Sequence, residues 1–178
     1  AAATLPNSYN SVENITPLET PLSSTINGAA LATPVFLSLY AENDLRLDKY
    51  FAETDEKGFR KNKKAGSNNY LCTFRVGEIY LTAAEAAARL GELSQARTRL
   101  LELMRKRYAP EAYEAKSVVV NAMDKEALVQ EILDERAREL AFEGHRWFDL
   151  RRSTRPRLEK VLDGTRYVLE ENDARYTL

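Results

Sequence analysis

From position 74 onward the chain spaces its apolar residues for helices. In FRVGEIYLTAAEAAARLG, residues 74–91, Ile79, Tyr80, Ala83, Ala84, Ala87 and Leu90 share one broad face, and Gly91 supplies the stop. A second helix is expected over about residues 93–106, with Ala96, Leu100, Leu101, Leu103 and Met104 along it. A third long helix begins behind the capping-type Asp124 and carries Leu128, Ile132, Leu133, Leu140 and Phe142. It runs to a turn at Gly144, followed by the aromatic-rich His145, Trp147, Phe148 and Leu150. Elsewhere the pattern is weaker. Thr33 and Pro34 predict the cap and first turn of a short helix over 34–41, with a packed extended segment as the alternative. Residues 41–51 fit strand or helix, and 53–69 read as a loop or loose hairpin turning near Gly58. Residues 107–123 read as a connector with Val118 to Val120 extended, residues 1–28 as irregular chain, and the end as a helical-looking RLEKVL piece or a hairpin.

The two helices around Gly91 form an antiparallel hairpin with the residue order of one tetratricopeptide unit. Ala84, Ala87 and Ala96 are the small residues that let two helix backbones approach. One unit does not make a solenoid, and the chain holds no second copy. The fold class expected is all-α in the main: this hairpin plus a long helix, with irregular N-terminal and C-terminal segments.

Charge changes the picture at the third helix. Glu135, Glu139 and Glu143 stand four apart and stack carboxylates on one face, which destabilises a helix unless cations sit among them. Arg136, Arg138, Arg146, Arg151 and Arg152 are the nearest candidates, and they predict a structural ion-pair and aromatic latch around Gly144. In that latch Glu139, Glu143, Arg146, Asp149 and Arg152 hold the helix end, while Trp147 and Phe148 plug the core. Arginine keeps such carboxylates ionised, whereas an acid/base pair needs pKa values pushed apart.

The bulk numbers exclude more than they assign. A chain of 178 residues makes one ordinary domain that buries about 70% of its extended surface. Its net charge of -1 gives no field for nucleic acid or anionic lipid. The first 41 residues carry only Glu13 and Glu19, and the rest is densely charged. Arg60, Lys61, Lys63 and Lys64 form a basic cluster that reads as a solvated loop. Cys72 is the single cysteine and reads as a small buried hydrophobe. No run of 18 apolar residues occurs, and the opening AAATLPNSYN reads as a mature or trimmed terminus. His145 is the only histidine, and no phosphate-binding glycine loop is present. No residue is therefore assigned a catalytic, cofactor-binding or metal-binding role, and no cofactor is expected. Tyr9, Tyr40, Tyr108, Tyr113, Tyr167 and Tyr176 are the better candidates for a carbohydrate platform, Trp147 reading as core.

Two stretches carry a family resemblance. Arg75, Glu78, Tyr80, Leu81, Ala84, Glu85, Ala86, Arg89, Gly91, Ala96, Leu100, Arg105 and Arg107 match one motif of the SusD/RagB family. Glu135, Arg136, Glu139, Leu140, Phe142, Glu143, Gly144, Arg146, Phe148, Asp149, Leu150 and Arg152 match its signature, and NDLRLDKYF at 43–51 resembles a third piece. The resemblance spans about residues 40–178. It implies a surface-exposed, lipid-anchored outer-membrane protein of the Bacteroidetes that captures glycans or other nutrient oligomers for a TonB-dependent transporter, without bond chemistry. The lipid-bearing cysteine of the family has no match here, so membrane contact is expected only through an anchor not present in this chain. No nucleic acid partner is expected.

Three readings follow: a nutrient-binding component of an uptake complex, a tetratricopeptide-like interaction module without ligand capture, and a hydrolase using paired carboxylates. The resemblance favours the first. It also implies that residues 1–178, taken as a single domain with 1–40 as irregular lead-in, are the C-terminal portion of a longer protein. Helices 75–106 and 124–143 are then expected to keep an apolar face that the remainder would cover.

Overall fold

The computed structural model describes residues 13–19, 31–64, 70–162 and 164–177. They form two compact units, residues 1–143 and 144–178. The chain is mainly helical, with seven α-helices and three small antiparallel sheets among the described residues.

The first unit opens with strand β1 (Asn14–Glu19), which pairs with β5 (Tyr70–Arg75). The irregular chain expected here is thus partly a strand. Pro17 is tolerated because the sheet has only two strands, and the register shifts between Thr16 and Pro17. Residues 1–12 and 20–30 lie outside the described residues. A second sheet has the order β2 (Leu31–Ala32), β4 (Arg60–Asn62), β3 (Phe51–Thr54). Its β3–β4 turn contains Gly58 with φ +82°, so the hairpin reading of this stretch holds. Helix α1 (Pro34–Leu37) starts where expected: Phe36 donates its backbone N–H to the Thr33 hydroxyl at 3.2 Å. Helix α2 (Arg46–Tyr50) resolves the ambiguity of 41–51 as one helical turn running directly into β3.

The hairpin of α3 (Val76–Leu90) and α4 (Leu93–Met104) is as the apolar spacing predicts. Gly91 closes α3 at φ +86°, a left-handed cap that costs glycine little. The buried face of α3 is rotated from the expected one. Gly77, Leu81, Ala84, Glu85, Ala87 and Ala88 are buried, while Ile79 and Leu90 are 43% and 77% exposed. The small residues face inward because α3 packs closely on both α4 and α6 (Lys125–Glu139). Residues 107–123 are a correction. Pro110 begins a helix, α5 (Pro110–Ala122), in place of the connector. The valines expected to be extended are helical, and Val120 is fully buried in the apolar core. Tertiary packing has outweighed the mild helix reluctance of β-branched residues.

Helix α6 is capped by the Asp124 carboxylate, which accepts from the Ala127 N–H at 2.9 Å. Its first half buries Leu128, Ile132 and Leu133. The helix ends at Glu139, earlier than expected, and residues 140–144 form a turn in which Phe142 takes φ +62°. That left-handed conformation is unusual for a bulky residue. The Phe142 ring packs edge-on against Phe36 and Phe51, at 6.3 and 6.1 Å between centroids.

The second unit holds α7 (His145–Arg152), the hairpin β6 (Leu158–Leu162) and β7 (Thr165–Leu169), and a 3-10 turn at Ala174–Tyr176. Of the two readings of the chain's end, the hairpin holds, and the helical-looking RLEKVL piece is mostly strand. Trp147 stacks on Tyr176 at 5.2 Å, and Tyr176 donates its hydroxyl to the Pro156 carbonyl. Trp147 and Phe148 are 38% and 61% exposed, so they are not the plug expected of them. On this eight-residue helix the buried position falls on Asp149, which pairs with Arg152 at 2.6 Å.

Candidate functional site

The feature that singles out the first unit is a buried ion-pair cluster at the end of α6. Helical spacing puts Glu135 and Glu139 on one inward face, and the turn brings Glu143 beside them. Glu135 and Glu139 have no exposed surface.

Their cations come from four other segments. Arg46, first residue of α2, reaches Glu135 at 2.7 Å, Glu139 at 2.9 Å and Asp44 at 2.7 Å. Its guanidinium lies 5.4 Å from the Tyr108 ring centre and 6.0 Å from that of Tyr40. Arg75, where β5 meets α3, donates to Glu139 and to both oxygens of Glu143. Arg107, just past α4, makes a forked contact with Glu139 at 2.8 and 2.9 Å and reaches Glu13 at 2.9 Å. Lys64, following β4, donates to Glu143, to the Glu139 and Ala141 carbonyls at 2.6 and 3.2 Å, and sits 4.3 Å from the Tyr50 ring centre. Arg138 pairs with Glu135 at 2.8 Å and with Glu131 at 2.6 Å.

The protonation states follow from this geometry. Burial pushes the Glu139 carboxyl up, but Arg107 and Arg75 outweigh it and hold it well below the usual carboxylate range. Glu135, with Arg46 and Arg138, and Glu143, with Lys64 and Arg75, are likewise held down against burial. Burial lowers Lys64 to about 8, with Glu143 pulling the other way. Three carboxylates fixed in the charged form, each hydrogen-bonded to cations, have no proton to donate at neutral pH and are poor bases. Among the described residues no group of three or more His, Cys, Asp and Glu is disposed to hold a metal ion.

Gly77 shows how tightly the cluster is built. A Cβ there would stand 2.8 Å from Arg75 Nη1 and 2.9 Å from Glu139 Oε1, closer than such atoms approach.

The expected latch exists with different members. Glu135, Glu139 and Glu143 come together as predicted, and Arg138 is one of their cations. Arg46, Lys64, Arg75 and Arg107 were not paired with them from the sequence. Arg136 instead reaches the Thr82 hydroxyl at 3.2 Å, Arg151 donates to the Tyr176 carbonyl, and Arg146 is exposed on α7. One signal was available for Arg46: it lies in the NDLRLDKYF piece at 43–51 that already resembled the family. The basic cluster is also corrected. Lys61 and Lys63 are exposed, but Lys64 is buried and Arg60 is only partly exposed, pairing with Asp48 at 3.0 Å. Of the tyrosines considered for a platform, Tyr40, Tyr108 and Tyr176 are buried, Tyr113 is half-buried and Tyr167 is 56% exposed. Tyr9 and the side chain of Cys72 lie outside the described residues.

The fold recurs in known structures. The chain is similar to a SusD-like carbohydrate binding protein from Bacteroides vulgatus, with 22% identity and a TM-score of 0.51 over 78% of this chain and 32% of that one. It is also similar to a SusD superfamily protein from Bacteroides fragilis, with 23% identity and a TM-score of 0.58 over 79% of this chain and 32% of that one. The chain thus spans about a third of the length of these relatives. No curated protein matches it. The SusD family model matches residues 29–175, and the chain belongs to that family. The family is one of non-catalytic binding proteins.

Proposed function

We propose that the chain is part of a non-enzymatic component that captures glycan or another nutrient oligomer at the bacterial outer-membrane surface. The component is held there by a lipid anchor and delivers its ligand to a TonB-dependent transporter. The family match over 29–175 carries this reading. The relative from Bacteroides vulgatus, described as carbohydrate binding, supports the ligand class. The cluster supports the absence of bond chemistry, because a carboxylate pair for hydrolysis stands about 5–9 Å apart and free of arginine, whereas Glu135, Glu139 and Glu143 are each cation-bound. Within such a component these residues act as scaffold.

The test uses the complete product of the gene that encodes these residues. Calorimetric titration against a glycan panel is expected to show one saturable class of ligand. Affinity purification is expected to retain a TonB-dependent transporter. Absence of both binding and co-purification would sink the reading and leave the interaction module.

A further inference from the structure

Glu13 joins the buried cluster from the start of the described chain. Arg107 Nη2 donates to both of its carboxylate oxygens at 2.9 Å, and Arg75 Nη1 stands 3.4 Å away. The Arg107 and Arg75 side chains are 7% and 0% exposed, whereas Glu13 keeps 21%. Beside this contact the Glu13 carbonyl accepts from the Val76 N–H at 2.9 Å, and Asn14 opens the pairing of β1 with β5 opposite Arg75. The ladder that follows is weak. Strand β5 is the one partner of β1 among the described residues, the register slips twice between Asn14 and Pro17, and Pro17 has no N–H to give. A two-stranded ladder is marginal on its own, so the charged contact at its start does much to hold it. Segment 13–19 also precedes the residues matched by the family model, 29–175, while Arg75 and Arg107 lie within them.

We propose that the edge of β5, with Arg75 and Arg107 at its end, is an acceptor for an extended acidic peptide, and that residues 13–19 are the chain's own occupant of it, a strap pinned by Glu13. Main-chain pairing along a strand edge gives such a site its affinity, and the side-chain contact gives it selectivity. The chemistry it reads is an extended segment with a carboxylate one residue ahead of its first paired position. Glu139 stays on both guanidiniums when the strap is displaced, so the acceptor persists and is short of one carboxylate. The proposal does not depend on which nutrient the protein takes.

The experiment uses the complete product of the gene. Residues 13–19 are replaced by an equal length of glycine and serine, and a synthetic peptide of residues 11–20 is added. The peptide is expected to raise the melting midpoint of the replaced protein saturably and to leave that of the unchanged protein where it is, its own strap being in place. A peptide carrying Glu13→Gln is expected to need at least about ten-fold higher concentration for the same rise. Hydrogen exchange on the full protein carrying Glu13→Gln gives a second reading. Residues 14–19 and 70–75 are expected to exchange at least about ten-fold faster, while 76–104 keep their protection. No rise with the peptide, an equal rise with its Gln form, unchanged exchange, or exchange quickened throughout 31–143 would each overturn the proposal. So would a replaced protein that no longer folds, because 13–19 would then be part of the core and not a strap.

Discussion

Leu128 and Glu139 lie on the same helix, about three turns apart, and neither has any exposed surface. Leu128 belongs to a core with Leu81, Leu100, Met104 and Ile132, held by packing and exclusion of water. Around Glu139 the partners are Arg46, Arg75 and Arg107, each in hydrogen-bonding geometry. The apolar end asks for volume and tolerates direction. The ionic end asks for every partner at once, because taking charges out of water costs several kcal/mol per ion unless all are paired. Buried ion pairs are therefore weak as net stabilisers, yet they specify strongly which segments sit beside α6.

Acid should separate the two ends most clearly. Glu135, Glu139 and Glu143 have folded-state pKa values below the ordinary 4.5. As pH falls through 4.5 the unfolded chain takes up protons first, so stability present at neutral pH is lost on the way down. Thermal melts from pH 7 to 3 should be flat to about 5 and then fall steeply; a flat profile to pH 3 would mean that the cluster is not closed. Near-isosteric swaps come next. Glu139→Gln should cost about 3–5 kcal/mol, since it leaves three buried guanidiniums short of charge. Leu100→Met in the apolar core should cost less than about 1.5 kcal/mol. Urea titration of the pair measures the contrast, and equal losses would erase it. Gly77→Ala should be smaller and of unexpected sign. Alanine for glycine within a helix usually helps, but here the added methyl meets Arg75 and Glu139, and a loss of about 1–3 kcal/mol is expected in the same titration. Arg146→Ala, on the exposed side of α7, should leave the melting midpoint unchanged; a large drop would restore Arg146 to the latch.

The same contrast explains what could be read in advance. Local chemistry was legible: the Thr33 and Asp124 caps, the Gly91 stop, and the α3–α4 hairpin are each set by residues a few positions apart. So was the clustering of Glu135, Glu139 and Glu143, and the match of both motifs to SusD relatives. The identities of the cations were not, because Arg46 and Glu135 are 89 positions apart and only the tertiary fold joins them. Helix α5 was missed because three consecutive valines favour strand locally while Val120 is needed in the core. The buried face of α3 was misjudged because large apolar residues draw attention, whereas close packing selected Gly77 and the alanines. Between the helix and the hairpin that RLEKVL left open, the pairing of β6 with β7 decided for the hairpin.

The order of the charges along the polypeptide has a consequence for how the molecule comes into being. Arg46, Lys64, Arg75 and Arg107 all precede Glu135, Glu139 and Glu143. During synthesis, which proceeds from the N-terminus, four basic side chains leave the ribosome before the three glutamates they share, and only Glu13 and Asp44 precede their partners. Until residue 143 has emerged, the buried ionic cluster is incomplete. Its last-made segment therefore supplies the acids on which the four earlier cations converge, and these charges cannot all be paired before the first unit has been made to its end.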